Sequence, residues 1–312
     1  MPAAFITSYL GDSPAAADHL DRTVRGVVDQ TDDDWLLAIV DDASPDPTAR
    51  EHLRNLTGLA PDRIVLLRQD VNQGQGAGRN LGVRWAHRQG CEFVLFQDAD
   101  DIAHPQRLER TRRLFAERPD VDFVYSTFLV IDEHDQPVPV SRLTPSVAEI
   151  LQSHETPVQG AGAWMPIGTT VGYTTLTSTV AVRTPLALAH PFPEERGCED
   201  AHAWLRMSAG GSAFAFLPDT PARYRIPQGT RGSADRSRIG DDYYRRKAEV
   251  ETDGFQQAMR IAIDRGRLDP SAAPDLTARF LRRLAVTLER EGQHALVREI
   301  LAQSPTAPAR PA

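Results

Sequence analysis

Three polar clusters stand directly behind apolar runs, and the strongest is Asp98-Ala99-Asp100-Asp101 behind Phe93-Val-Leu-Phe-Gln97. Hard divalent cations such as Mg²⁺ or Mn²⁺ prefer oxygen ligands and usually take one or two carboxylates together with substrate phosphates. Asp98 and Asp100 are therefore candidate metal ligands. One aspartate alone would read as the cap of the next helix, with Pro105 in its first turn; three after a buried strand favour the metal. A second cluster, Asp41-Asp42-Ala43-Ser44-Pro45-Asp46, offers Asp42 as an acceptor for a base or ribose, while Ser44 or Asp46 can cap a helix. The third, Asn72-Gln-Gly74-Gln-Gly76-Ala-Gly78-Arg79-Asn80, has the spacing G-x-G-x-G and follows the third apolar run, not the first. That excludes the dinucleotide fingerprint of dehydrogenases. Its glycines still allow close backbone approach at a helix N-terminus, and Arg79 supplies a cation for phosphate. Much later, Glu199-Asp200 opens a helical stretch, either as a proton-accepting carboxylate or as acidic residues complementing the helix dipole.

The elements that must position these residues follow a βαβ rhythm. Strands are expected at Ala3–Tyr9, Trp35–Asp41, Arg63–Arg68, Phe93–Gln97 and Val121–Ser126. Helices are expected at about Pro47–Leu56, Gly74–Gln89 and Pro105–Glu117, and a first one after the cap-and-proline pair Ser13-Pro14, with Leu20, Val24, Val27 and Val28 on one face. This is an α/β chain with a mostly parallel twisted sheet flanked by helices. In such sheets ligands collect in the crevice beyond the carboxyl ends of the strands, where all three clusters fall. From Thr127 the rhythm changes. We expect a hairpin around Glu133-His134-Asp135, a mobile Pro/Gly-rich loop over the site from Thr156 to Gly172, a strand at Thr175–Arg183, a helix at Glu199–Ala209 and a strand edge at Ala213–Leu217. Helices at Asp241–Arg265 and Pro274–Gln303 precede a frayed Pro/Ala tail. The expected division is an α/β unit carrying the polar clusters over 1–238 and a helical C-terminal extension over 239–312.

Taken in order, Thr7-Ser-Tyr9, Val40-Asp-Asp42-Ala-Ser44, Asn72-Gln-Gly74 through Arg79-Asn80, Asp98-Ala99-Asp100-Asp101 and Glu199-Asp200 resemble family 2 glycosyltransferases of the GT-A fold. Each piece is weak alone, but five in this order over roughly 200 residues are specific. The resemblance implies an inverting transfer from a nucleoside-diphosphate sugar, usually a uridine one, in a single displacement. It implies a donor site of Thr7, Tyr9, Asp42, Ser44, Asn72, Gly74, Arg79, Asp98, Ala99 and Arg231, in which Asp42 holds the base, Asp98 the ribose or sugar side, and Asp100 the metal bridging the diphosphate. Asp200 would then be the base, with Glu199 beside it. One departure stands out. Family members often carry a histidine after the Tyr-Arg that ends the core, whereas Tyr224-Arg225 is followed by Ile226-Pro-Gln228-Gly-Thr-Arg231. Gln228, a water, or the charges of Arg225 and Arg231 are the alternatives for that position. Trp164 and Tyr173 are candidates to stack on an acceptor ring.

Composition narrows the class. At 41% hydrophobic and 25% charged residues the 312-residue chain is an ordinary globular protein. Residues 1–219 carry 18 basic and 31 acidic groups and residues 220–312 carry 17 and 12, so the acidic front half argues against nucleic acid and suits a cation. The basic rear half suits phosphates, an anionic membrane surface or plain solvation. Two cysteines, Cys91 and Cys198, fit a reducing compartment, and the absence of a long apolar run leads us to expect a cytoplasmic protein, with peripheral contact to the inner membrane face open through Arg282 and Arg283. Phe280, Leu281, Leu284, Val286, Leu288, Leu296, Val297 and Ile300 are expected to pack on the core or on a second subunit. Lys247 is the sole lysine, which we ascribe to codon bias. The acceptor stays open between a glycan, a lipid-linked sugar, a protein and a small natural product. A nucleotidyltransferase and a catalytically silent nucleotide-sugar-binding protein are the rival readings.

Overall fold

The computed structural model describes residues 2–194, 197–227 and 239–303. Seven strands, β1 Ala3–Tyr9, β2 Trp35–Asp41, β3 Ile64–Arg68, β4 Phe93–Phe96, β5 Phe123–Ile131, β6 Val180–Arg183 and β7 Phe214–Arg225, form one sheet in the order β3-β2-β1-β4-β6-β5-β7. The first four are parallel, β6 runs antiparallel to β4 and β5, and β5 is again parallel to β7. Helices α1 Pro14–Val28, α2 Ala49–Thr57, α3 Gln75–Arg88 and α4 Arg107–Glu117 cross between the parallel strands. After them come α5 Pro145–Ser153, the single turn α6 Trp164–Pro166, α7 Thr184–Ala189, α8 Glu199–Gly210, α9 Tyr243–Asp264, α10 Ala273–Arg290 and α11 His294–Ala302.

The strand alternation sorts side chains onto two faces. Ala3 and Phe5 of β1 join Phe93 and Leu95 of β4 in a core with Leu20, Val24 and Val27 of α1 and Leu108 and Phe115 of α4. Ala4, Ile6, Val94 and Phe96 point the other way, into a core with Val83 of α3, Trp204 of α8, Phe255 of α9 and Phe280 of α10. Both faces being covered, the central strands are apolar throughout, as a parallel sheet requires. Ser13 caps α1 by accepting the Ala16 N–H at 3.3 Å, with Pro14 in the first turn. Helix α3 lies hard against β1. A Cβ on Gly82 would come within 2.4 Å of Ile6 Cγ2, and one on Gly78 within 2.3 Å of Ser8 Oγ, so these glycines serve helix–strand packing.

Beyond β4 the structure departs from several expectations. The stretch Thr156 to Gly172 is not a loop over the site. Val158, Ala163, Trp164 and Ile167 are buried, Gly160 bonds Phe214 in both directions at 2.8 and 3.0 Å, and Gly168 leaves no room for a Cβ beside Phe255. The apolar residues between its prolines and glycines outweigh their flexibility, and the segment becomes a buttress for α9 and α10. Strand β6 begins only at Val180, because Thr179 Oγ1 turns back on Leu176 and winds Thr177–Thr179 into a 3₁₀ turn. At Glu133 a turn forms, closed by Asp132 N–H to the Gln136 carbonyl at 2.9 Å, but the return leg makes only a bridge at Pro137. Pro137 and Pro139 have no N–H with which to extend a ladder. The expected last helix is broken into α10 and α11 around Gly292, whose φ of 77° suits a helix C-terminus. Its apolar residues go to this chain's own core, except Val286, which is exposed, and Val297, which is partly buried. Arg283 turns inward to Glu149 and the Val171 carbonyl. Among the described residues no helix is long and apolar enough to cross a membrane.

Candidate functional site

The carboxyl ends of β1, β2 and β4 open onto a cavity of about 720 Å³, and the loops behind them form one wall. Of the residues singled out from the sequence, Tyr9, Asp42, Asn72, Gly74, Arg79, Asp98, Ala99, Asp100, Tyr173 and Asp200 line it together. Four others do not. Thr7 is fully buried within β1. Ser44 accepts the Gly11 N–H at 2.7 Å and so braces the loop after β1. Trp164 is packed on Phe255 with ring centroids 5.3 Å apart, which removes it as an acceptor platform. Glu199 is buried behind the wall. Gln228 and Arg231 lie outside the described residues.

Asp42 is a brace as well as a lining group. Its Oδ1 accepts from Gln69 Nε2 at 2.6 Å and Gln73 N–H at 2.7 Å, and its Oδ2 from Gly74 N–H at 2.8 Å, so the loop after β3 is folded around this carboxylate. Gly74, at φ 90°, supplies the left-handed backbone that lets the chain turn into α3. Burial, followed by Asp12 and Asp41, pushes the Tyr9 phenol up to about 12, so Tyr9 acts as a neutral O–H.

Arg79 is the hub. It is buried and bonds Glu199 Oε1 through Nη1 at 2.5 Å and Asp98 Oδ1 through Nη2 at 2.8 Å. Burial opposes its charge, but Asp98, Glu199 and Asp200 more than offset this and its pKa is raised. Next to it, Asn80 both donates to the Phe192 carbonyl at 2.9 Å and accepts the Phe192 N–H at 2.8 Å. The Arg79-Asn80 pair thus clasps the start of α8 onto α3. Arg79 sits between carboxylates, where the sequence suggested a phosphate.

Asp98, Ala99 and Asp100 cross the floor of the cavity. Asp98 N–H donates to Ser178 Oγ at 2.9 Å, and the Asp100 carbonyl accepts from Arg225 Nε at 2.7 Å. Asp101 turns into the protein, where it accepts the Arg225 N–H at 2.7 Å. Burial, with Asp100 and Asp98 adding repulsion, holds its carboxyl well above the usual range. Arg225 also reaches the Asp132 carbonyl and Asp135, so its guanidinium ties the chain together beneath the aspartates. Among the described residues no group of three or more His, Cys, Asp or Glu converges to hold a metal unaided. Mutually repelling carboxylates at the cavity floor do fit a hard cation whose remaining ligands come from phosphate and water.

The Glu199-Asp200 pair is divided by its backbone. Gly197 and Cys198 both adopt left-handed conformations, φ 86° and 61°, and bend the chain sharply into α8. Glu199 is thereby sent back to Arg79, and Asp200 forward into the cavity. Asp200 Oδ1 accepts the Ala201 N–H at 2.7 Å, and burial raises the carboxyl's pKa against the opposing charge of Arg79. Part of the cavity lining was missed in the sequence. It comes from Tyr243, Tyr244, Lys247 and Glu251 of α9, together with Cys198 and Tyr224. The available signal was the sole lysine in an otherwise arginine-only chain.

A family model described as glycosyl transferase family 2 matches residues 6–174, more than half of the chain. An uncharacterized glycosyltransferase of Nostoc sp. is 36% identical over 149 residues, 47% of this chain and 44% of its own length. The Escherichia coli enzyme WfgD, a UDP-Glc:alpha-D-GlcNAc-diphosphoundecaprenol beta-1,3-glucosyltransferase, is 25% identical over 130 residues, 42% of this chain and 48% of its own. The matched stretch thus spans less than half of these relatives. Among solved structures, the mannosyltransferase PcManGT of Pyrobaculum calidifontis, in complex with GDP-Man and Mn²⁺, superposes with a TM-score of 0.58 at 17% identity, covering 98% of this chain and 76% of that one. TarS of S. aureus, in complex with UDP-GlcNAc, gives 0.56 at 16% identity over 97% and 91%. At such identities the likeness shows the fold, which is GT-A.

Proposed function

The chain belongs to glycosyl transferase family 2, and we propose that it is a glycosyltransferase that inverts the sugar of a nucleoside-diphosphate donor, a uridine one, in a single displacement with Asp200 as base. The observation that carries this reading is the division of the acidic pair. Glu199 is neutralised by Arg79, while Asp200 faces the cavity that Asp98 and Asp100 also line. An inverting displacement needs a carboxylate that removes the acceptor proton opposite the departing diphosphate. Burial raises the proton affinity of Asp200, which improves it as a base once ionised. Arg79 holds the α8 end and the Asp98 end at a fixed separation through one rigid guanidinium, so base and donor floor keep their relative position.

On the donor side, Asp42, Asn72 and Gly74 shape the pocket for the nucleoside. Asp100, with Asp98 beside it, would hold Mn²⁺ or Mg²⁺, and the cation would offset charge on the leaving diphosphate. The PcManGT complex with Mn²⁺ and the bound UDP-GlcNAc of TarS support a divalent cation and a nucleotide sugar for this chain. A ligand bound only by the folded state raises its melting temperature. Thermal shifts against uridine, thymidine, guanosine and cytidine diphosphate sugars, with and without Mn²⁺, are expected to show a metal-dependent rise with a uridine donor. Absence of a rise with every sugar nucleotide, or consumption of a nucleoside triphosphate instead, would overturn the reading.

A further inference from the structure

Helix α9 is fixed in register against the helix that carries Asp200. Gly254 crosses α8 so closely that a Cβ there would lie 2.8 Å from His202 Cα, and His202 Nε2 meets Asp253 Oδ2 at 2.9 Å. One and two turns before Gly254 on α9, Glu251 and Lys247 pair across one turn and face the cavity, with the Lys247 ammonium 5.0 Å over the Tyr173 ring. Glu251 is 1% exposed and Lys247 12%. A desolvated ion pair gives little net stability, since the cost of stripping water offsets the attraction. The loops proposed to hold the nucleotide and diphosphate line the same cavity, and α8 brings Asp200 near enough to feel the charges of both Lys247 and Glu251.

Resting on the reading of Asp200 as base, we infer that Lys247, Glu251 and Tyr173 form the acceptor subsite, and that it takes an uncharged sugar ring. The two charges cancel, so an anionic acceptor finds no net attraction, whereas a hydroxyl can accept from the ammonium and donate to the carboxylate at once. The Tyr173 ring adds an apolar face for the C–H side of a pyranose. Lysine suits this task where arginine does not. Its compact head addresses single oxygens, while a guanidinium fork matches carboxylate or phosphate.

The test is saturation-transfer NMR on the full chain with UDP and Mn²⁺ present, using methyl glucoside, galactoside, mannoside and N-acetylglucosaminide against methyl glucuronide. At least one neutral glycoside is expected to bind and the glucuronide not. Lys247→Met is expected to weaken the glycoside by about tenfold or more, the scale of a lost hydrogen bond to a charged group, with UDP affinity kept within about twofold. Glu251→Gln, checked for folding by its melting temperature, should do the same and serves if Lys247→Met does not fold. Binding of no neutral glycoside, preference for the glucuronide, or glycoside signals unchanged in a folded variant would each overturn the inference. Loss of the UDP signal in the unmutated chain would instead strike the donor reading, and the glycoside signals would still decide this one.

Discussion

At the scale of single residues, the two acids of Glu199-Asp200 should fail differently when neutralised. Asp200→Asn removes proton acceptance from a group whose ionised form burial disfavours, so stability should hold or rise while turnover falls by roughly 10²- to 10⁴-fold. Glu199→Gln leaves the buried Arg79 charge with one carboxylate partner fewer. Its expected signature is a clearly lower melting temperature with a smaller loss of turnover. Transfer rates and melts on the same preparations separate the two. Because the Asp200 carboxyl titrates above its ordinary range and only the ionised form accepts a proton, the transfer rate should rise with pH through that elevated pKa and be lost below it. A rate that is flat there would remove Asp200 as base. For Asp100→Ala, calorimetry should find nucleoside-diphosphate binding no longer enhanced by Mn²⁺; a preserved enhancement would move the cation elsewhere.

At the scale of elements, glycine in the Asn72–Asn80 cluster is explained by packing. Gly78 and Gly82 allow α3 to lie on β1, and that contact places Arg79 and Asn80 where they clasp the loop leading into α8. Gly82→Ala must push Ile6 or the helix aside, so we expect a loss of about 1–3 kcal/mol, the usual cost of overpacking a core. Denaturant titration measures it. An unchanged midpoint would mean that α3 can shift on β1, and that the clasp is looser than its hydrogen bonds imply. Ser44 and Asp42 belong to the same logic. Both looked like ligand contacts in the sequence, and both spend hydrogen bonds on neighbouring loops, because backbone N–H groups in the tight turns after β1 and β3 need acceptors that the sheet no longer provides.

At the scale of the whole molecule, the C-terminal helices share a core with the sheet. Phe255 stacks on Phe280 with centroids 4.4 Å apart and meets Trp164, and Trp204 of α8 packs on Phe96 of β4 in the same cluster. We expect a chain cut after residue 238 to lose its cooperative melt and its near-UV circular dichroism, since Trp164, Ile167 and the inner side of α8 would face water. A soluble fragment with a sharp transition would show instead that residues 1–238 fold alone.

The fold class and the strand-end loops that line the cavity were legible in the sequence because short apolar runs and helical patterns are local, and because a strand end followed by carboxylates declares its edge of the sheet. Strands β1 and β2 were read to the residue, and Asp98, Asp100 and Asp200 were found where the cavity is. Tertiary structure alone decided which polar residues see that cavity. Thr7 and Trp164 carry no local mark of burial, and Glu199 differs from Asp200 only through the left-handed turn at Gly197 and Cys198. The lining contributed by α9 was the least visible part. Lys247 and Glu251 lie some fifty residues beyond Asp200, and the packing of α9 on α8, with Gly254 against His202 and Asp253 on its ring, brings their helix beside it. Such a register is fixed by packing at a distance in sequence, which no local pattern can encode.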